Sequence, residues 1–287
     1  MTLLALGCIL IAALLHATWN FLAKRVHGGA AFIWLCDLCG LCLLAPIVLG
    51  FAIATMPTLS SQALGAICIS GMLQVTYLWC LQRGYQVGDF SVVYPLARGT
   101  GSGIVVLAST LVLRESLTLP HVLGAGCIVI GIALIARRST QTPGRHTRSA
   151  MCYSFVTGFW IASYTLWDKA AVTVIGLAPI LLYYGALAVR VGVLTPLAIC
   201  QWPSVQAHWQ MHRRETISVA LLSAISYLLI LWALTFTAVS VVAPAREISI
   251  LFSTLMGHRL LAEGDALCRF LGASLLVLGI IIVIGMV

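Results

Sequence analysis

Charge is what this sequence has least of. Asp, Glu, Lys and Arg together make up 8% of its 287 residues, and only eight residues are acidic. A soluble domain carries about 25% charged residues, so this chain lacks the polar surface that a water-exposed fold needs. It lacks any long polar stretch that could form an appended soluble domain. It also has no GxxxxGK[ST] phosphate loop, and no HExxH or GxSxG group within an apolar run. The first absence argues against ATP hydrolysis by the chain itself, and the second against an intramembrane enzyme. We therefore expect no enzymatic activity and no cofactor.

What is present is apolar: 61% of the residues are hydrophobic, with a mean hydropathy of +1.06. A membrane-spanning helix needs roughly 20 mostly apolar residues, and ten such windows can be read off the chain. They run over 2–23, 31–54, 62–83, 91–113, 119–136, 150–172, 178–200, 215–236, 240–261 and 266–286. The fold expected is an all-α integral membrane protein. The first window lacks a basic leader and runs into Lys24-Arg25, which reads as a spanning helix rather than a cleaved signal peptide. The net charge of +8 lies in short loops between windows, a pattern set by membrane orientation rather than by nucleic acid. Lipids and a small-molecule substrate are the expected partners, and the chain is expected to be a monomer.

The two halves echo each other. A shift of 148 residues lays Ala97-Arg98 on Ala245-Arg246, Glu115 on Glu263, Gly124-Ala125 on Gly272-Ala273, and Gly131 on Gly279. A shift of 149 lays Ser91-Val92-Val93-Tyr94-Pro95 on Ser240-Val241-Val242-Ala243-Pro244. Ala17, Thr18, Trp19, Asn20 and Lys24 face Ala162, Ser163, Tyr164, Thr165 and Lys169. The domains are thus a five-helix repeat over 1–136, a basic linker over 137–149 and a second repeat over 150–287. An odd number of spans per repeat inverts the second relative to the first, around a central cavity. That is an architecture of secondary transporters.

The run Ser91 to Arg98, the run Ala245-Arg246-Glu247-Ile248-Ser249, and His16-Ala17-Thr18-Trp19-Asn20 followed by Lys24-Arg25 resemble the EamA-type branch of the drug/metabolite transporter superfamily. So does Glu115 or Glu263 followed nine residues later by Gly-Ala. The resemblance covers essentially the whole chain. It implies a basket of ten helices whose cavity is lined chiefly by the first, third, fourth, sixth, eighth and ninth. It also implies transport of amino acids, amines, drugs or nucleotide sugars.

Candidate site residues follow from ionisable and aromatic groups inside the windows. Charges at such depth face a cavity or a partner. Arg98 and Arg246 each lie about seven residues inside a window, about 10 Å deep at 1.5 Å per residue, and could clasp a carboxylate or phosphate. Glu247 is a candidate for a substrate ammonium or a coupling proton, or for a structural pair with Arg98 or Arg190. Asp37 and Arg190, each isolated in its window, both read as structural, each in an ion pair with a partner that the spacing does not name. His16, Trp19 and Asn20 share one helix face, and Trp160, Tyr164 and Trp167 form a comparable stripe. Tyr77 and Tyr94 join the substrate-binding set, with Gln74 and Tyr227 as weaker candidates. Cys36, Cys39 and Cys42, within one apolar span and without a fourth ligand, make a poor metal site. The other cysteines, scattered singly, give little support to disulfides. His208 and His212 read as interfacial anchors, and Glu115 and Glu263 as helix-end caps.

These readings converge on a secondary transporter of a small polar or zwitterionic metabolite, an amino acid or a related amine or organic acid. Export by alternating access, with a proton or an exchange substrate as coupling partner, is expected. The location expected is a cell membrane, as in the inner membrane of bacteria. The alternatives are an intramembrane enzyme and a non-transporting scaffold or sensor. Basic residues concentrate in the loops after odd-numbered windows, which places those loops in the cytoplasm and both termini outside. Gly124 with Gly131, and Gly272 with Gly279, each open one helix face to close approach. The spacing is similar to the glycine heptad of small multidrug-resistance transporters, so the fifth and tenth windows should pack together.

Overall fold

The computed structural model describes all residues except 1–2, 27, 58–59, 114–122, 125, 129, 132–133, 135–144, 238, 240–241, 243–245, 262–265 and 285–287. Among the described residues there is helix and no strand. The first half contributes α1 (Leu3–Val26), α2 (Gly29–Thr55), α3 (Ser61–Val87) and α4 (Phe90–Leu113). The described residues between 123 and 134 are helical too. The second half contributes α5 (Arg145–Thr173), α6 (Pro179–Cys200), α7 (Trp202–Phe236), a 3-10 turn (Arg246–Ile248), α8 (Ser249–Leu261) and α9 (Ala266–Ile284). Among the described residues five helices, α1, α2, α3, α6 and α7, are long and apolar enough to cross a membrane. The protein is an all-α, multi-pass membrane protein.

Three expectations change in detail. The predicted linker ends early, because Arg145 to Ser149 already form the first turn and more of α5. The eighth window is only the latter part of α7, which begins at Trp202 and breaks at His212 (φ −128°, ψ 31°). Before the break Trp202, Trp209 and Met211 are exposed, and this stretch is too polar to have been read as a span. Finally, Arg246 and Glu247 are not in a helix interior. They form a 3-10 turn immediately before α8.

Backbone packing follows from small residues. A Cβ added to Gly131 would lie 2.7 Å from the Gly272 carbonyl oxygen, and one added to Gly279 would lie 2.5 Å from that of Gly124. The helical residues around Gly131 therefore pack directly on α9, as their spacing predicts. Without a hydrophobic drive between helices in lipid, such close approach is what holds spans together.

Across the halves the contacts come in reciprocal sets. Helix α1 packs on α7 and α5 on α3; α2 packs on α7 and α6 on α3; α1 packs on α8 and α5 on α4. The ammonium of Lys24 donates to the carbonyls of Tyr85 (2.5 Å) and Gly88 (2.8 Å) at the end of α3. That of Lys169 donates to Leu234 (2.7 Å) and Thr237 (3.2 Å) at the end of α7. The last carbonyls of a helix lack intrahelical partners and carry the negative end of its dipole, so each lysine caps the helix beside its own.

Candidate functional site

Between the halves lies a cavity lined by His16 and Trp19 of α1, Gln74 and Tyr77 of α3, Tyr164 of α5, Arg190 of α6 and Tyr227 of α7, among others. Within it the centre of a water-sized molecule can move through about 70 Å³, room for a few waters or a small solute. Of the ten predicted binding residues, His16, Trp19, Tyr77 and Tyr164 line this cavity. The other six do not.

Among the described residues two buried ion pairs tie the halves together. Arg98 of α4 grips Glu247 with Nε on Oε2 (3.0 Å) and Nη2 on Oε1 (2.6 Å), and Ser102 Oγ donates to the same Oε1 at 2.7 Å. Arg190 of α6 grips Asp37 of α2 with Nε on Oδ2 (3.0 Å) and Nη2 on Oδ1 (2.6 Å). Ion pairing was expected for Asp37 and for Arg190 without a named partner, and the structure joins them to each other; Glu247, for which Arg98 and Arg190 were both open, meets Arg98. Its carboxylate is taken up by Arg98, so neither is a free charge facing a ligand in this conformation. In the 3-10 turn successive residues diverge by about 120°. Glu247 therefore reaches α4 while Arg246 turns towards α5.

Arg246 is 2% exposed. Its Nη2 donates to the Tyr164 hydroxyl at 3.3 Å, and its Nε has no partner. No carboxylate pairs with it among the described residues. Tyr164 stands between this guanidinium and the cavity. The cavity has other unused donors. Trp19 Nε1 donates to His16 Nδ1 at 3.2 Å, so the neutral imidazole carries its proton on Nε2. That Nε2 and the Tyr77 hydroxyl are both buried without partners. Buried donors left unpaired are unfavourable by about 1–3 kcal/mol each, so these groups are poised for an acceptor.

No family model matches the chain. An uncharacterized protein of Methanocaldococcus jannaschii, MJ1333.1, is 32% identical over 131 residues, covering 44% of this chain and 92% of that one. The chain belongs to the family of that protein. A crystal structure of a protein 13% identical in sequence matches with a TM-score of 0.64, over 99% of this chain and 98% of the other. That likeness shows a shared fold alone.

The remaining predicted residues hold the frame. Asn20 donates from Nδ2 to the His16 carbonyl (2.8 Å) and accepts from the Tyr85 hydroxyl (3.0 Å). Tyr94 donates to Ser249 Oγ at 2.9 Å, and Trp167 Nε1 donates to the Ala66 carbonyl at 3.0 Å. Glu115 and Glu263 lie outside the described residues.

The structure adds one acidic residue that sequence reasoning missed. Asp168 of α5 is fully buried and accepts from Ser70 Oγ (2.6 Å), from Gln74 Nε2 (3.2 Å) and from the Tyr227 hydroxyl. In the sequence it sits near the end of a window, beside Lys169, where a charge looks interfacial. The available signal was Gln74 and Tyr227, two polar groups deep in apolar windows.

Proposed function

We propose that the protein is a secondary transporter of a small metabolite bearing an anionic group, an amino acid or a related zwitterion or organic acid. In this reading it has ten spans arranged as two inverted five-helix repeats, as in EamA-type members of the drug/metabolite transporter superfamily, and resides in the cytoplasmic membrane. The observation that carries the reading is the inter-half cavity with its unpartnered donors, His16 Nε2 and Tyr77 Oη, next to Tyr164 and the uncompensated Arg246. A carboxylate entering there would satisfy donors that are otherwise buried and unpaired, and would offset the charge of Arg246. The walls from Trp19, Tyr164 and Tyr227 suit a compact solute with some apolar surface.

Two further findings support the architecture. The helix contacts are reciprocal between the halves, as inverted repeats require. The archaeal relative is about half as long as this chain and matches over nearly its whole length, as expected if half the chain is a unit in itself. Alternating access would rock one unit against the other around the cavity.

Ile33 and Gln82, which line the cavity, also line a second depression with Gly28, Arg83, Gln86, Gln201 and His208. The cavity therefore adjoins the end of the bundle that carries Lys24, Arg25 and Arg83. By the positive-inside rule that end is cytoplasmic, and export is then the direction for which this conformation would load.

The test is counterflow into liposomes reconstituted with purified protein and a panel of labelled amino acids, amines and organic acids. A solute carried by the wild type should bind roughly 10- to 150-fold more weakly to Arg246→Ala, the loss of one charge-assisted hydrogen bond of about 1.5–3 kcal/mol. Absence of counterflow for every solute, or chemical conversion of one, would sink the proposal.

A further inference from the structure

We propose that Asp168 is a proton-binding site, and that its charge decides how firmly α5 is clasped to α3 and α7. The idea rests on the transporter reading above and adds the coupling group to it.

The carboxylate is fully buried and takes its hydrogen bonds from neutral groups alone: Ser70 and Gln74 on α3, and Tyr227 on α7. No cation forms an ion pair with it among the described residues. Of the nearby charged groups, Arg246 on the turn before α8 reaches Tyr164 of α5 rather than Asp168, and the others are engaged elsewhere. Arg190 on α6 holds Asp37, Arg98 on α4 holds Glu247, and Lys169 on α5 itself caps α7. On α3, Tyr77 keeps its hydroxyl unpartnered.

The donors are fixed in orientation. Gln74 Oε1 accepts from Arg190 Nη1 at 2.6 Å, so its amide nitrogen must turn to Asp168. That nitrogen also donates to Ser70 Oγ at 3.0 Å, which directs the serine proton to the carboxylate. The arrangement is thus preset for the ionised form through a chain running Asp37, Arg190, Gln74, Asp168. Ser70 and Gln74 belong to the first half of the chain, Asp168 and Tyr227 to the second.

An unpaired carboxylate at membrane depth is unfavourable, and here it depends on all its donors at once. Gln74 and Tyr227 line the cavity, so water can deliver a proton past them. Protonation forms one O–H bond on a carboxylate oxygen and takes the group from −1 to neutral. The hydroxyl facing the protonated oxygen, that of Tyr227 at Oδ2 or of Ser70 at Oδ1, must then turn from donor to acceptor, and Gln74 loses an anionic acceptor. Conversely, any rocking that draws α5 from α3 strips donors from the carboxylate and favours proton uptake. By linkage, whatever conformational change alters proton affinity is itself biased by the proton.

Three measurements test this in protein reconstituted in phosphatidylcholine–phosphatidylglycerol liposomes. With one proton exchanged per solute, an imposed gradient of one pH unit should drive about tenfold accumulation. In Asp168→Asn accumulation should fall to equilibrium while counterflow persists. Infrared pH-difference spectra of the wild type should contain a protonated-carboxyl band that Asp168→Asn lacks. If Asp168→Asn does not fold, Ser70→Ala keeps the carboxyl and should move the titration midpoint of that band. Gradient-driven accumulation by Asp168→Asn equal to wild type overturns the inference, as does an unchanged infrared band. Wild-type protein without counterflow would instead count against transport, and the infrared result would still decide whether Asp168 binds the proton.

Discussion

Arg98 and Arg246 occupy matching places in the two halves, and both are almost wholly buried. Among the described residues one is matched by a carboxylate and the other is not. The residue after Arg246 is Glu247, whose carboxylate crosses to Arg98; the residue after Arg98 is Gly99. Gly99 has no side chain with which to reciprocate, and a Cβ there would lie 2.6 Å from Leu276 Cδ1, so any side chain would first have to displace that leucine. Elsewhere the halves agree: Lys24 and Lys169 cap equivalent helix ends, and Gly131 and Gly279 meet each other's helices. Where the halves match, the residues build the frame. Where they differ, a buried cation is left without a counter-charge among the described residues.

The largest test of that contrast is stability. Glu247→Gln leaves Arg98 buried without a counter-charge, and removing one partner of a buried pair destabilises by about 3–5 kcal/mol. Arg246→Gln removes a charge that is already uncompensated, and should shift the unfolding midpoint in detergent little or upwards. Equal losses in the two variants would break the comparison. Next in size are Gly131→Leu and Gly279→Leu. Overpacking typically destabilises by about 1–3 kcal/mol, and more is expected where the obstruction is backbone. Folded yield and thermal midpoint should fall by similar amounts in both, and wild-type behaviour in either would contradict the close approach. The smallest effect is that of Lys24→Met and Lys169→Met, about 1 kcal/mol each for losing a cation at a helix end. Hydrogen exchange should quicken in the last turn of α3 in the first variant and of α7 in the second. A one-sided response would show that the caps are not equivalent.

Much of the frame was legible from residue order. The apolar windows correspond to α1, α2, α3, α4 and α6 within a few residues, because a span must be apolar along its whole length and hydropathy reads that directly. The 3-10 turn at Arg246 was not legible: the run from Ser240 to Leu261 is mostly apolar, and hydropathy does not register a break in helical geometry. Pro244, two residues before Arg246, was the one local hint. The site was readable only in part. His16, Trp19, Tyr77 and Tyr164 stood out as polar or aromatic groups deep in windows, and they line the cavity. Asp168 did not stand out, because its partners Ser70, Gln74 and Tyr227 come from helices 59 to 98 positions away in the chain.

Residence in the membrane, the places of most spans and the basic ends of the helices follow from the sequence by itself. Each depends only on how a residue and its near neighbours partition between lipid and water. The pairing of the charges was decided by tertiary structure alone. Arg98 could equally have met a ligand, and Glu247 could have met Arg190. Which carboxylate reaches which guanidinium depends on helix rotation and on a turn that parts Arg246 from Glu247. In a low-dielectric interior such through-space distances, of a few ångströms, separate a charge that holds the fold together from one left without a counter-charge.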